Sequence, residues 1–213
     1  MTFLYAIIYK MEELFMIKNI IFDLGNVLNR FQPVKHFEYK FKEDTARLCS
    51  YIFGNNIWND YDQGIIEKQA LYDYALKNHP QDYEALAYLL DHWLDIITPI
   101  EEMIEEFVKL SKLGYHTFIL SNVSEEGKDV MDKQAFVKYA SGKLYSYMIQ
   151  INKPDPRIYQ HLCSTYQLKY EECIFLDDKL ENIEAAIALG MQGIQVKDIN
   201  EAIKELEKRL NSK

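Results

Sequence analysis

Four polar clusters in this chain hold residue types that do chemistry together: Asp23, Ser121-Asn122, Lys153 and Asp177-Asp178. Three carboxylates brought to one place repel, and their ionised forms require a cation among them. Carboxylate, carbonyl and water oxygens suit a hard divalent ion, so Mg²⁺ is the expected companion. Beside a metal and the Lys153 ammonium, Asp23 can act as a nucleophile on phosphorus, giving an aspartyl phosphate that water then hydrolyses. Lys153 and Ser121 would supply positive charge and a hydrogen bond where charge accumulates. Each residue also has an ordinary reading. An acid after a strand often only caps the next helix, and paired acids suit a helix N-terminus. Ser121 alone reads as a turn residue and Lys153 alone as a solvated lysine.

What joins the four clusters is their position at the ends of strand-type runs. Asp23 follows Ile20-Ile21-Phe22, and the chain then turns through Gly25 and Asn26. His116 to Leu120 leads into Ser121-Asn122, and Cys173-Ile174-Phe175-Leu176 leads into Asp177-Asp178. Lys153 lies in Asn152-Lys153-Pro154-Asp155-Pro156, a loop restricted by its prolines. Helical segments separate these runs. Ile100, Met103, Ile104, Phe107 and Leu110 trace one face before Gly114, and Thr98, Pro99 and Glu101 read as a capping box at its start. Further helices are expected over Glu125 to Tyr139, Arg157 to Gln167, Ile183 to Gly190 and, capped by Asp198 and Glu201, the tail. Lys143 to Ile151 holds a strand or an irregular segment, and Gly193 to Val196 a last strand. Strands alternating with helices give an α/β fold whose parallel sheet is covered on both faces. The strand ends then face one side, where open α/β sheets bind ligands.

Residues 31–97 have a different character, rich in aromatics and with helical spacing such as Leu86, Leu89, Leu90, Trp93. They read as a helical unit inserted after the first strand, with 16–30 and 98–213 forming the core domain. Asp60, Tyr61, Asp62 and Gln63, before Gly64, read as a polar turn between helices and as candidates for substrate specificity. Tyr61, Trp58 and Trp93 read as the core of this unit. Residues 1–15 lack the basic start and cleavage site of a secretory signal and read as an N-terminal extension of a cytoplasmic protein.

Composition removes other function classes. A net charge of −9 with no Lys/Arg cluster argues against a nucleic-acid partner. No run of 18 apolar residues spans a membrane. The 3 cysteines show no metal-ligand spacing and suit a reducing compartment. No GxSxG, HExxH or glycine-rich phosphate loop is present.

Phe22-Asp23-Leu24-Gly25-Asn26-Val27, Leu120-Ser121-Asn122, Lys153-Pro154 with Ile158-Tyr159, and Phe175-Leu176-Asp177-Asp178 with Asn182 resemble, in this order, the four motifs of the haloacid dehalogenase-like (HAD) hydrolases. The resemblance covers the chain from Met16. Within the superfamily it is most similar to sugar phosphatases like bacterial α-D-glucose-1-phosphate phosphatase and to the N-terminal phosphatase domain of epoxide hydrolases. It implies a Rossmann-like core with a helical cap, Asp23 as nucleophile, Ser121 as phosphate-binding hydroxyl and Lys153 as the stabilising cation. It also implies Mg²⁺ held by Asp23, the Gly25 carbonyl and Asp178, with Asp177 acting directly or through water. Asn122 would contact phosphate or substrate, and Asn182 would support the last loop. One departure stands out: most phosphatases of the superfamily carry an acid–base Asp two residues after the nucleophile, where this chain has Gly25. Its loss typically costs ~10²- to 10⁴-fold, a penalty that falls when the leaving group departs easily.

The expected function is therefore a Mg²⁺-dependent phosphatase of a small phosphorylated metabolite, a sugar phosphate foremost. Two alternatives stay open: a dehalogenase-like C–X hydrolase, which needs no general acid, and a metabolite-binding regulator with little turnover.

Overall fold

A computed structural model of the protein describes residues 16–211. The proposed extension over residues 1–15 lies outside the described residues, as do Ser212 and Lys213. Strand β1 (Asn19–Phe22) is buried along its whole length. The chain then makes a short strand, β2 (Asn29–Arg30), and enters five helices: α1 (Pro33–Phe41), α2 (Thr45–Ile52), α3 (Asn56–Asp62), α4 (Lys68–Asn78) and α5 (Tyr83–His92). It returns through β3 (Thr98–Pro99), α6 (Glu101–Lys112), β4 (His116–Ser121), α7 (Glu125–Met131), β5 (Gly142–Tyr145) and α8 (Ser146–Ile149). Helix α9 (Pro156–Tyr166), β6 (Cys173–Asp177), α10 (Leu180–Ala188), β7 (Gln192–Gln195) and α11 (Ile199–Asn211) complete it.

Five strands form one parallel sheet in the order β5-β4-β1-β6-β7, which puts β1 at its centre. Phe22 pairs with Ile119 of β4 and with Leu176 of β6, so Asp23, Ser121 and Asp177 emerge at the same end of the sheet. Successive strand residues face opposite sides. Ile20, Phe22, Ile119, Ile174 and Leu176 pack with Met103, Phe107 and Leu206 of α6 and α11, while Ile21, Phe118, Leu120 and Phe175 pack with Tyr159, Leu162 and Ile183 of α9 and α10. Two apolar layers thus cover the sheet, as strands that are apolar on both faces demand.

The five helices of the insertion have their own core, in which Phe37, Ile52, Trp58, Leu71, Leu86 and Trp93 meet. The two crossings into and out of the insertion pair antiparallel, Asn29 opposite Pro99 and Arg30 opposite Thr98. This pairing corrects the capping box expected at Thr98. Thr98 and Pro99 are drawn into the two-stranded ribbon, where a proline is tolerated at an edge, and α6 starts only at Glu101 with no side-chain cap at Ile100. The Ile100 N–H instead reaches the Leu28 carbonyl at 3.0 Å.

Two other expectations are corrected. Asp60 to Asp62 belong to the last turn of α3, and the polar turn begins only at Gln63 and Gly64, where Gly64 has φ +71. The helix expected to run to Tyr139 stops at Met131, and a 3-10 turn covers Ala135–Tyr139. The turn expected through Gly25 and Asn26 is present between Leu24 and Leu28, and the positive φ within it falls on Asn26, at 55°, a conformation Asn tolerates better than most residues. No helix among the described residues is long and apolar enough to cross a membrane.

Candidate active site

Asp23 continues the sheet for one residue beyond β1, its N–H bonded to the Leu176 carbonyl at 2.9 Å. Its buried side chain meets Lys153, whose Nζ donates to Asp23 Oδ1 at 2.7 Å, Asp177 Oδ2 at 2.6 Å and the Leu120 carbonyl at 3.0 Å. All three ammonium protons are thereby used. Burial alone would strip Lys153 of its proton, but the facing Asp177 and Asp23 hold its pKa above the ordinary lysine value. Burial dominates at Asp23 and, opposed by the pull of Lys153 and aided by repulsion from Asp177 and Asp178, raises its pKa to about 6. Burial likewise raises that of Asp178.

The loop that delivers Lys153 is fixed by Asn122. Its Nδ2 donates to the Lys153 carbonyl at 2.9 Å, and its Oδ1 accepts the Lys153 N–H at 2.7 Å. The Asn122 amide therefore positions the lysine; Asn122 also lines the cavity of the site, where the resemblance implies a phosphate or substrate contact. Replacing it by Ala removes both bonds; the expected outcome is a loss of about 1–3 kcal/mol, from ~1 kcal/mol per bond, read as a lower urea midpoint together with reduced turnover.

Asp177 is equally committed. Besides Lys153 it takes Asn182 Nδ2 on Oδ1 at 2.9 Å and on Oδ2 at 3.0 Å, and the Lys179 N–H on Oδ1 at 2.9 Å. Asp178 Oδ2 accepts from Asn26 Nδ2 at 3.0 Å, while Asn26 Oδ1 takes the Phe31 N–H at 3.0 Å. Asn26 thus ties the turn after Asp23 to the Asp178 carboxylate. The sequence carries no sign of this link beyond an Asn suited to a left-handed turn, because its partner is 152 residues away.

The donor set fits a hard divalent cation. Asp23, Asp177 and Asp178 each offer an oxygen atom within 4.8 Å of the others, and the Lys153 ammonium pairs with two of them, Asp23 and Asp177. Among the described residues, no hydrogen bond takes Asp23 Oδ2 or Asp178 Oδ1. Gly25 lies against the open oxygen, since a Cβ built on it would sit 3.6 Å from Asp23 Oδ2. The carbonyl of Leu24 takes the N–H groups of Val27, Leu28 and Asn29.

Asp23, Gly25, Lys153 and Asp178 form the floor of a cavity of about 420 Å³ that Ser121, buried at the end of β4, also lines. The opposite wall comes from the insertion and is aromatic, with Phe31, Phe53, Trp58 and Trp93. Asp62 of α3 lines it too. Tyr61 and Trp93 are buried with Trp58 in the insertion core, but both have polar duties, donating to Glu126 Oε2 at 2.9 and 3.1 Å.

Residues 17–190 match the family model of the haloacid dehalogenase-like hydrolases. The sesquiterpene phosphatase AstK of Aspergillus oryzae is 24% identical over 182 residues, 85% of this chain and 90% of that protein. The D-ribitol-5-phosphate phosphatase of Bacteroides thetaiotaomicron is 24% identical over 218 residues, covering 92% of this chain and 100% of that one. Among solved structures, a HAD family enzyme of Bacteroides thetaiotaomicron in complex with magnesium and inorganic phosphate superposes with a TM-score of 0.65 at 20% identity, over 85% of this chain and 94% of that one, a likeness of fold. With a family match spanning most of its length and phosphatases among its relatives, the chain belongs to the haloacid dehalogenase-like hydrolases.

Proposed function

We propose that this hydrolase is a Mg²⁺-dependent phosphatase of small phosphorylated metabolites, sugar phosphates foremost, acting through an aspartyl phosphate on Asp23. The observation that carries the reading is the asymmetry of Asp23: Lys153 holds Oδ1 at 2.7 Å, and Oδ2 stays open at the cavity floor beside Gly25. A carboxylate held this way is oriented for attack without being neutralised. Asp23, the Gly25 carbonyl and Asp178 would hold the ion, and Asp177 would reach it through water, its oxygens being engaged by Lys153, Asn182 and Lys179. When bound, Mg²⁺ supplies charge neutralisation for the phosphoryl oxygens. The chain does the rest: Asp23 attacks phosphorus, Lys153 steadies the nucleophile and the transferred group, and the Ser121 hydroxyl binds a phosphoryl oxygen.

Two relatives named as phosphatases, one of D-ribitol 5-phosphate and one of a sesquiterpene, support a small phosphate monoester as substrate. The polar floor suits the phosphate and the aromatic wall suits a sugar face or an apolar chain. We read residues 31–97 as the cap that closes this cavity. It meets the core through polar contacts such as Gln63 Nε2 to the Gln150 carbonyl at 2.6 Å and Asn152 Nδ2 to the Asn59 carbonyl at 2.8 Å, both exposed. Contacts of that kind separate and re-form readily, as a gating motion requires. Three free, buried cysteines support a cytoplasmic, reducing location.

The test is phosphate release from a panel of sugar and isoprenyl phosphates, with and without EDTA. Release that EDTA abolishes is expected; metal-independent release, or chloride release from 2-chloropropionate in its place, would overturn the reading. Metal binding has its own readout. Saturating Mg²⁺ at a hundred times its Kd should stabilise the protein by about 2.7 kcal/mol, seen as a rise in Tm. Asp178→Asn should lose most of that rise.

A further inference from the structure

The position two residues after Asp23 is Gly25, which can exchange no proton, so the leaving oxygen of an alkyl phosphate needs a donor from elsewhere. Among the described residues lining the cavity, three are acids: Asp23, Asp178 and Asp62. No histidine or tyrosine lines it. Asp23 is the nucleophile and Asp178 is held by Asn26 beside the metal position. Asp62 has neither duty.

Asp62 ends α3, directly before the turn at Gln63 and Gly64. Its backbone is docked onto the core, because the Ser146 hydroxyl donates to its carbonyl and the same hydroxyl accepts the Val123 N–H at 3.0 Å. Val123 lies two residues beyond Ser121, so the docking ties the end of α3 to the phosphate-binding end of β4. Asp62 is half-buried, lines the cavity, and is near enough to Asp23 for the two carboxylates to repel.

We infer that Asp62, carried by the helical insertion, is the general acid and base of this site, taking the role left vacant at Gly25. The assignment rests on the phosphatase reading. In the first step Asp23 attacks phosphorus and the bond from phosphorus to the leaving oxygen breaks. The electron pair stays on that oxygen, which takes the Asp62 proton and departs as an alcohol. In the second step water attacks the phosphorus of the aspartyl phosphate and its proton passes to the Asp62 carboxylate. The bond from phosphorus to Asp23 breaks, and inorganic phosphate leaves with both acids restored.

The protonation state agrees with this geometry. Burial pushes the Asp62 carboxyl up to about 8, aided by the Asp23 charge and opposed by Lys179, the Ser124 backbone N–H and the Trp58 indole. Of the other ionisable groups around α3, Tyr61 and Lys68 are paired with Glu126. An ordinary aspartate is ionised at neutral pH and has no proton to give, whereas Asp62 keeps its proton until the pH passes about 8.

The experiment compares wild type with Asp62→Asn on a primary alkyl phosphate, whose leaving group needs a proton, and on p-nitrophenyl phosphate, whose leaving group does not. On the alkyl ester the variant should lose ~10²- to 10⁴-fold in kcat. On the nitrophenyl ester it should release nitrophenolate in a burst stoichiometric with enzyme at near the wild-type rate, followed by slow turnover, because only the second step still needs the base. In wild type, alkyl-ester turnover should fall as pH rises through about 8, with no such fall in the nitrophenolate burst. Loss of the burst in parallel with the alkyl activity, unchanged turnover of both esters, or a wild-type alkyl profile flat through that pH would each overturn the assignment while leaving the phosphatase reading intact. A wild type that hydrolyses neither ester, nor any member of the sugar and isoprenyl panel, overturns both.

Discussion

Asp23→Asn is expected to abolish phosphate release, by more than about 10⁴-fold in kcat if nucleophile loss here resembles that in other covalent enzymes. The amide has the same shape but cannot attack phosphorus, and neither Asp177 nor Asp178 can take over. Asp177 is saturated by Lys153, Asn182 and Lys179, and Asp178 is turned toward Asn26. The fold should survive. Burial and two neighbouring carboxylates already oppose the Asp23 charge, so replacing it with a neutral group relieves repulsion while Lys153 keeps its bond to Asp177. A thermal melt should therefore show a Tm no lower than that of wild type. Turnover by this variant at a measurable fraction of the wild-type rate would remove Asp23 from the mechanism.

Lys153→Met should have the largest effect on stability. Methionine matches the length of lysine and fills the same buried channel, so the change isolates the charge. Without the ammonium, Asp23 and Asp177 are left buried and unpaired, and breaking a buried ion pair from one side costs about 3–5 kcal/mol. For a chain of this size that corresponds to a fall in Tm of about 10 °C. Mg²⁺ should recover part of the loss, since it supplies positive charge to the same carboxylates. A variant that melts with wild type would show that the pairing contributes nothing to the fold, and one that keeps full activity would remove Lys153 from the site.

Both predictions concern residues that stand out in the amino-acid sequence. Asp23, Ser121 and Asp177 each end an apolar run, and runs apolar at every position form strands buried on both faces. Once such strands lie parallel their ends share one side, which is why residues 154 apart in sequence, Asp23 and Asp177, can bind one lysine. Lys153 is legible through the proline-bound loop and the family motif that contains it. The insertion is visible as a change of period. The start of α6 is not, because Thr98-Pro99-Ile100-Glu101 is a good helix start in isolation and loses that role only when Asn29 and Arg30 pair with it.

Strand patterning and motif order are local properties, and they suffice to establish the α/β class, the family and the cluster of Asp23, Ser121, Lys153, Asp177 and Asp178. Which hydrogen bonds each side chain makes emerges only from the folded chain. Asn122 follows Ser121 and reads as a ligand group, yet its amide closes on the Lys153 backbone. Gly25 and Asn26 read as a turn, yet only the folded chain shows that Asn26 takes the positive φ and reaches Asp178. Asp62 reads as one polar residue in a loop, yet helix docking through Ser146 brings it into the cavity that Asp23 lines. Each partner is supplied by chain distant in sequence, and a polar group's role follows from the neighbours that desolvate and pair it.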